Sequence, residues 1–98
     1  MKRIFAVTRV RGPEYNSARP LEEQQEWHSH AEFMDGLHSE GFVLLAGPLE
    51  GTQNVLLSIC AENEDEIHGR LAKDSWTRDG LLRTVEIAPW TLRLGSLG

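Results

Sequence analysis

FVLLAGPLEGTQNVLLSIC, residues 42–60, decides the fold. Two apolar runs, Phe42–Ala46 and Asn54–Cys60, flank the turn residues Gly47, Pro48 and Gly51. Runs this short with turn chemistry between them read as two buried strands joined in an antiparallel hairpin.

On either side of the hairpin the period becomes helical. From Leu21 to about Glu40, Trp27, His30, Ala31, Met34, Leu37 and Gly41 recur at three- and four-residue steps, with Glu22, Glu23, Glu26 and Asp35 on the other side. Gly41 suits the C-terminal cap. Downstream, Asn63 and Glu66 form a capping signature for a helix from Glu64 to about Lys73, whose apolar stripe runs Ile67, Leu71 and then Asp74. Farther out lie two more strands, Arg3–Val10 and Leu81–Ala88. Pro89 interrupts the second, and Trp90, Leu92 and Leu94 follow in the opposite phase, which predicts a bend or bulge at Pro89. Arg11–Pro20 reads as a long loop, and Ser75–Gly80 as a loop carrying Trp76.

The order β-α-β-β-α-β predicts an α+β, ferredoxin-like fold with two helices on one face of a four-stranded antiparallel sheet. The strands are apolar on both sides, so the second face requires another protomer or a ligand.

The 98 residues fit one domain spanning 1–98, with 40% hydrophobic and 26% charged side chains. A net charge of −5 disfavours nucleic acid and anionic membrane surfaces as partners. No apolar run approaches the ~18 residues of a membrane span, and Ile4–Val7 is too short for a signal peptide. Cys60 has no partner for an internal disulfide, which suits a reducing compartment. A soluble, cytoplasmic protein is expected.

Charge is uneven: residues 1–20 carry five basic side chains against Glu14, and residues 21–98 carry five basic against fourteen acidic. Two readings stand side by side: opposed patches that aid solubility, or Arg9 and Arg11 facing an anionic or phenolic ligand. His30 lies on the apolar stripe of the first helix, where an imidazole needs a partner, and Asp74 occupies the matching place on the second. The pair reads either as a satisfied structural histidine or as an oriented acid–base group. His28 and His30 are separated by about 200° on a helix and cannot chelate one ion, and there is no helical His-x-x-x-His pair, so no metal is expected. Cys60 reads as a small core residue, and Ser58 has no nucleophile elbow around it. Trp27, Trp76 and Trp90 could wall an aromatic pocket or simply pack the core.

The segment Gln25–Glu40 (QEWHSHAEFMDGLHSE), then Gly47-Pro48-Leu49, Asp74-Ser75-Trp76 and Pro89-Trp90, in that order and over nearly the whole chain, resembles the YCII-related (YciI-like) family. The resemblance implies a dimeric α/β barrel of two ferredoxin-like protomers and a histidine–aspartate pair falling on His30 and Asp74. A characterised relative is a dehydrochlorinase acting on a chlorinated hydroxyquinol. The expectation is therefore a cofactor-independent enzyme of the lyase or isomerase type. In it His30 and Asp74 carry proton transfer during elimination or isomerisation of a small cyclic or phenolic substrate, and Arg9, Arg11, Trp27, Met34, Gly47, Pro48 and Trp76 bind it. The alternative is a non-catalytic dimeric module that binds a small molecule or a regulatory partner. The pocket is expected between the first helix, the Arg11–Pro20 loop and the sheet, and Asp74→Asn is expected to spare the fold. One position departs from the family: Ser75 stands where proline usually follows the aspartate, and proline would hold that aspartate extended.

Overall fold

Strict alternation along the first strand sets the two faces of the sheet. In β1 (Arg3–Arg11), Phe5, Val7 and Arg9 are buried while Ile4, Ala6, Thr8 and Val10 are half-buried on the opposite side. The computed structural model describes residues 1–96; the expected domain reaches Gly98, whose last two positions lie outside the described residues. After β1 come a 3₁₀ turn (Leu21–Glu23), α1 (Trp27–Ser39), β2 (Val43–Pro48), β3 (Asn54–Ala61), α2 (Glu64–Leu71), a short α3 (Ser75–Arg78) and β4 (Leu82–Pro89). The sheet order is β2-β3-β1-β4 with every pair antiparallel, which is the ferredoxin-like arrangement.

Register carries the alternation across the sheet. Phe5 pairs with Ile59 and Val7 with Leu57, and these four meet Leu37 of α1 and Ile67 and Leu71 of α2 in the main core. A second cluster, Trp76, Leu81 and Leu82, sits at the other end of the same face with Tyr15, Leu21 and Trp27 against it. The remaining face pairs Thr8 with Leu56 and Ala6 with Ser58, and Ser58 with Leu45. There Leu45 is 58% and Leu56 38% exposed. Cys60 belongs to this half-buried outer face opposite Ile4, and not to the core expected for it.

Four local expectations change. The first helix starts at Trp27 because Glu26 adopts a left-handed backbone, φ 61°, which no helix can pass through. The second helix stops at Leu71, and Ser75–Arg78 coils again as α3 with Asp74 as its N-cap. The phase change lies at Val85: Thr8 pairs with Glu86 and Arg9 with Thr84, so Val85 is the extra residue of a bulge. Pro89 instead closes β4 opposite Phe5, where a missing N–H is tolerated. Trp90 still donates its N–H to the Ile4 carbonyl, 2.9 Å, but the residues after it form no strand.

The Arg11–Pro20 loop is tied down at both ends. Gly12 donates to the Leu81 carbonyl, 2.8 Å, and a Cβ there would stand 2.2 Å from the Gly80 carbonyl oxygen, so only glycine fits. At the other end the buried Gln24 side chain accepts from the Asn16 N–H at 2.8 Å and donates to the Asn16 and Arg19 carbonyls at 2.7 and 3.1 Å.

Candidate active site

Asp74 is the centre of the site because the break between α2 and α3 turns its side chain inward. Its backbone is extended, φ −73° and ψ 131°, and its carboxylate caps α3 by accepting the Trp76 N–H at 3.2 Å. The same carboxylate, 0% exposed, receives the His30 ring: Nδ1 lies 3.0 Å from Oδ1 and 2.9 Å from Oδ2. A carboxylate only accepts, so Nδ1 is assigned as the donor. Nε2 is left without a hydrogen bond among the described residues, and the ring's other face is fixed by Trp76, stacked 3.9 Å away at 2°. The Trp76 indole is held in turn by its N–H to the Gln25 carbonyl, 2.8 Å.

Behind this pair lies an arginine on the inward side of β1. Arg9 is 1% exposed, with Nη1 3.5 Å from Asp74 Oδ2 and Nη2 donating to the Thr77 hydroxyl, while Nε has no partner. Burial lowers its guanidinium below the ordinary arginine value, and the Asp74 charge and hydrogen bond oppose that shift.

In front of the imidazole is a cavity of about 210 Å³ between α1, the Arg11–Pro20 loop, the end of β2 and the sheet. The wall contains His30, Arg9, Arg11, Trp27, Met34, Gly47, Pro48 and Trp76. Sequence reasoning singled out all eight, and Asp74 stands behind the wall in contact with His30. Tyr15, Leu21, Ala46, Val55, Leu57 and Leu82 also line the cavity and were missed. The length of the loop was a signal for Tyr15, whose ring carries the Arg11 guanidinium 4.4 Å from its centroid and meets Trp76 edge-on at 6.1 Å. No carboxylate lines the cavity among the described residues. Trp90 does not line it and is largely exposed. His28 and His68 are also exposed, and His38 lies near the Val43 carbonyl, 2.9 Å. Chemically the arrangement offers one imidazole nitrogen, the Arg11 guanidinium and aromatic faces around a space the size of a single ring, with the Arg9 guanidinium enclosed behind Asp74.

Ser75 sits where the resembled family has proline, and Asp74 is extended without that constraint. Ser75 occupies the first helical position of α3, where proline fits and the N–H has no partner to lose. Its buried hydroxyl is unpartnered as well. Ser75→Pro is therefore expected to stabilise the protein by roughly 0.4–1 kcal/mol, seen as a higher urea midpoint with unchanged m.

No protein-family model matches the chain, and no curated protein matches its sequence. The fold is similar to that of 5-chloro-2-hydroxyhydroquinone dehydrochlorinase from Burkholderia phenoliruptrix, solved in complex with 2,5-dihydroxybenzoquinone. The TM-score is 0.65 at 22% identity, over 90% of this chain and 93% of that one. Identity at that level shows a shared fold.

Proposed function

We propose that this chain is a YCII-related enzyme in which His30 takes a proton from a small cyclic or phenolic substrate during elimination or isomerisation, without a cofactor. One observation carries the reading: Asp74 engages Nδ1 of His30 and leaves Nε2 as the free nitrogen of a ring that lines an apolar, ring-sized cavity. A carboxylate in that place orients the imidazole and favours proton uptake at the opposite nitrogen. An apolar cavity of ~150 Å³ takes up benzene, so about 210 Å³ accommodates one substituted ring. The protein of similar fold acts on a chlorinated hydroxyhydroquinone and holds a dihydroxybenzoquinone, which supports the same class of substrate here. In an elimination, His30 takes a proton, the released electron pair forms the new double bond, and the leaving group departs as an anion. Arg11 provides a cationic group for ring oxygens, while the Arg9 guanidinium is enclosed behind Asp74.

The test is turnover of chlorinated and unchlorinated hydroxyhydroquinones, read by chloride release and quinone absorbance. His30→Asn is expected to lower turnover by about 10²–10⁴-fold while ligand still binds. Tight binding by the unaltered protein with no turnover of any such ring would favour a binding module.

The outer sheet face belongs to the same proposal. Leu45 and Leu56 stand exposed on it beside Ile4 and Cys60, an apolar surface that a second copy of this chain would cover. Light scattering is expected to show twice the 11.1 kDa chain mass, and Leu56→Glu to return the monomer. A monomeric unaltered protein at micromolar concentration would remove the dimer.

A further inference from the structure

Arg11 is a cation without a countercharge. It ends β1, with its backbone N–H donated to the Gln53 carbonyl at 3.0 Å and its Cα paired with Leu82. Parity with Phe5, Val7 and Arg9 brings its half-buried side chain to the inward face, where it lines the cavity. Among the described residues that side chain makes no ion pair and no hydrogen bond. What holds it is the Tyr15 ring, whose centroid lies 4.4 Å from the guanidinium carbon. That face offsets part of the cost of drawing the cation out of water, but it offers the N–H donors no acceptor. Tyr15 is itself fixed: its N–H donates to the Gly12 carbonyl at 3.1 Å, and its ring meets Trp76 edge-on. Asp74 does not serve Arg11, because its carboxylate is taken up by Arg9 and His30.

We propose that the cavity selects a ring carrying one ionised oxygen, and that Arg11, braced on Tyr15, is the residue that selects it. This rests on the cavity being the substrate site. Arg9 is enclosed and its charge is met by Asp74, so the permanent charge left to face a guest is that of Arg11. No carboxylate lines the wall among the described residues, and most of the wall is aliphatic or aromatic. Such surroundings strengthen an ion contact made within them. A phenolate or ring carboxylate accepts charge-assisted hydrogen bonds from the planar guanidinium fork, where a neutral ring oxygen gains much less. The wall also fixes which end of the guest is charged. Tyr15 touches both Arg11 and Trp76, and Trp76 stacks on His30, so two aromatic side chains separate the cation from the imidazole along the wall. The ionised oxygen is thereby held at one end of the cavity and the reacting bond is turned toward His30 at the other. A neutral ring of the same shape lacks that anchor.

The test is binding of unreactive rings in matched pairs at one mildly alkaline pH, measured by isothermal titration calorimetry. Benzoate is set against benzamide, and 4-nitrophenolate against nitrobenzene; the tighter anion tells a ring carboxylate from an acidic ring hydroxyl. The unaltered protein is expected to prefer each anion over its neutral partner by roughly tenfold or more. Arg11→Met keeps the apolar stem and is expected to cut the preference below about twofold, with the neutral rings bound as before. Tyr15→Leu removes the brace and is expected to lower the preference by about two- to fivefold. Equal binding of anion and neutral ring by the unaltered protein would overturn the proposal, as would a full preference in folded Arg11→Met. A full preference in Tyr15→Leu would overturn the brace. Should Arg11→Met fail to fold, the side-chain N–H NMR signals of the unaltered protein decide, each assigned through its own backbone. Benzoate is expected to move the Arg11 Nε–H signal and benzamide to leave it in place; an unmoved Arg11 signal with benzoate bound refutes the selection. Because these rings hold no bond to eliminate, the result stands apart from turnover: His30→Asn with full turnover would remove the acid–base reading and leave the anion preference standing.

Discussion

Asp74→Asn is expected to lose turnover by about a thousandfold and to cost the fold roughly 2–4 kcal/mol. The catalytic loss follows from the hydrogen bonds. The carboxylate takes the imidazole Nδ1 on two oxygens within 3.0 Å. An amide has only one accepting atom and presents its NH₂ either to the ring or to Arg9, so the ring is free to carry its proton on Nε2. The stability loss was not foreseen from the sequence, where aspartate and asparagine are near in size. It arises from Arg9, whose only countercharge among the described residues is Asp74, both fully enclosed. Removing one member of a buried pair strands the other, typically at 3–5 kcal/mol. The long 3.5 Å contact places this pair at or below the lower part of that range. Urea unfolding and kcat/KM on the same preparation measure both. A stability change under 1 kcal/mol would show that Arg9 finds compensation elsewhere.

Trp76→Ala is the second large effect. The indole is 1% exposed and forms the middle of the smaller cluster. It lies 5.9 Å from Trp27 and 6.1 Å from Tyr15 between ring centroids, stacks on His30 and donates to the Gln25 carbonyl. Truncating a buried tryptophan costs about 3–5 kcal/mol, a large part of the 5–15 kcal/mol that holds a typical domain. The variant is expected to unfold well below the urea midpoint of the unaltered protein. Trp76→Phe should recover most of that loss, since a ring still fills the space, but not the indole N–H bond, worth about 1 kcal/mol. Equal stability of the Ala and Phe variants would mean that the cavity simply collapses.

The strand order and the two sheet faces were legible because they depend on parity. Phe5, Val7 and Arg9 must point one way, and the hairpin in residues 42–60 pairs β2 with β3. Of the fourteen residues around the cavity, parity placed Arg9 and Arg11, the helical stripe placed Trp27, His30 and Met34, and the family resemblance pointed to Gly47, Pro48 and Trp76. What was hidden depends on single backbone angles and on pairings far apart in sequence. Glu26 in a left-handed conformation is not announced by its side chain, yet it decides where α1 starts. Asp74 was placed by extending the α2 stripe; it arrives instead by ending one helix and capping the next. The contact between Arg9 and Asp74 spans 65 residues, and no local pattern encodes it. Reading Arg9 as a residue for ligand alone missed that its guanidinium is already committed. The bulge lies at Val85 and not at Pro89, since the β1–β4 register shifts between Thr8 and Arg9 while Pro89 still pairs with Phe5.

The Arg11–Pro20 loop, docked through Gly12 at one end and stitched by Gln24 at the other, has a kinetic consequence. Its wall of the cavity stands before any molecule arrives, so no segment has to order itself around the guest. The entropic penalty of capture falls mainly on the guest's own lost translation and tumbling. Association then proceeds without a slow rearrangement, and differences in affinity among related rings emerge as differences in residence time.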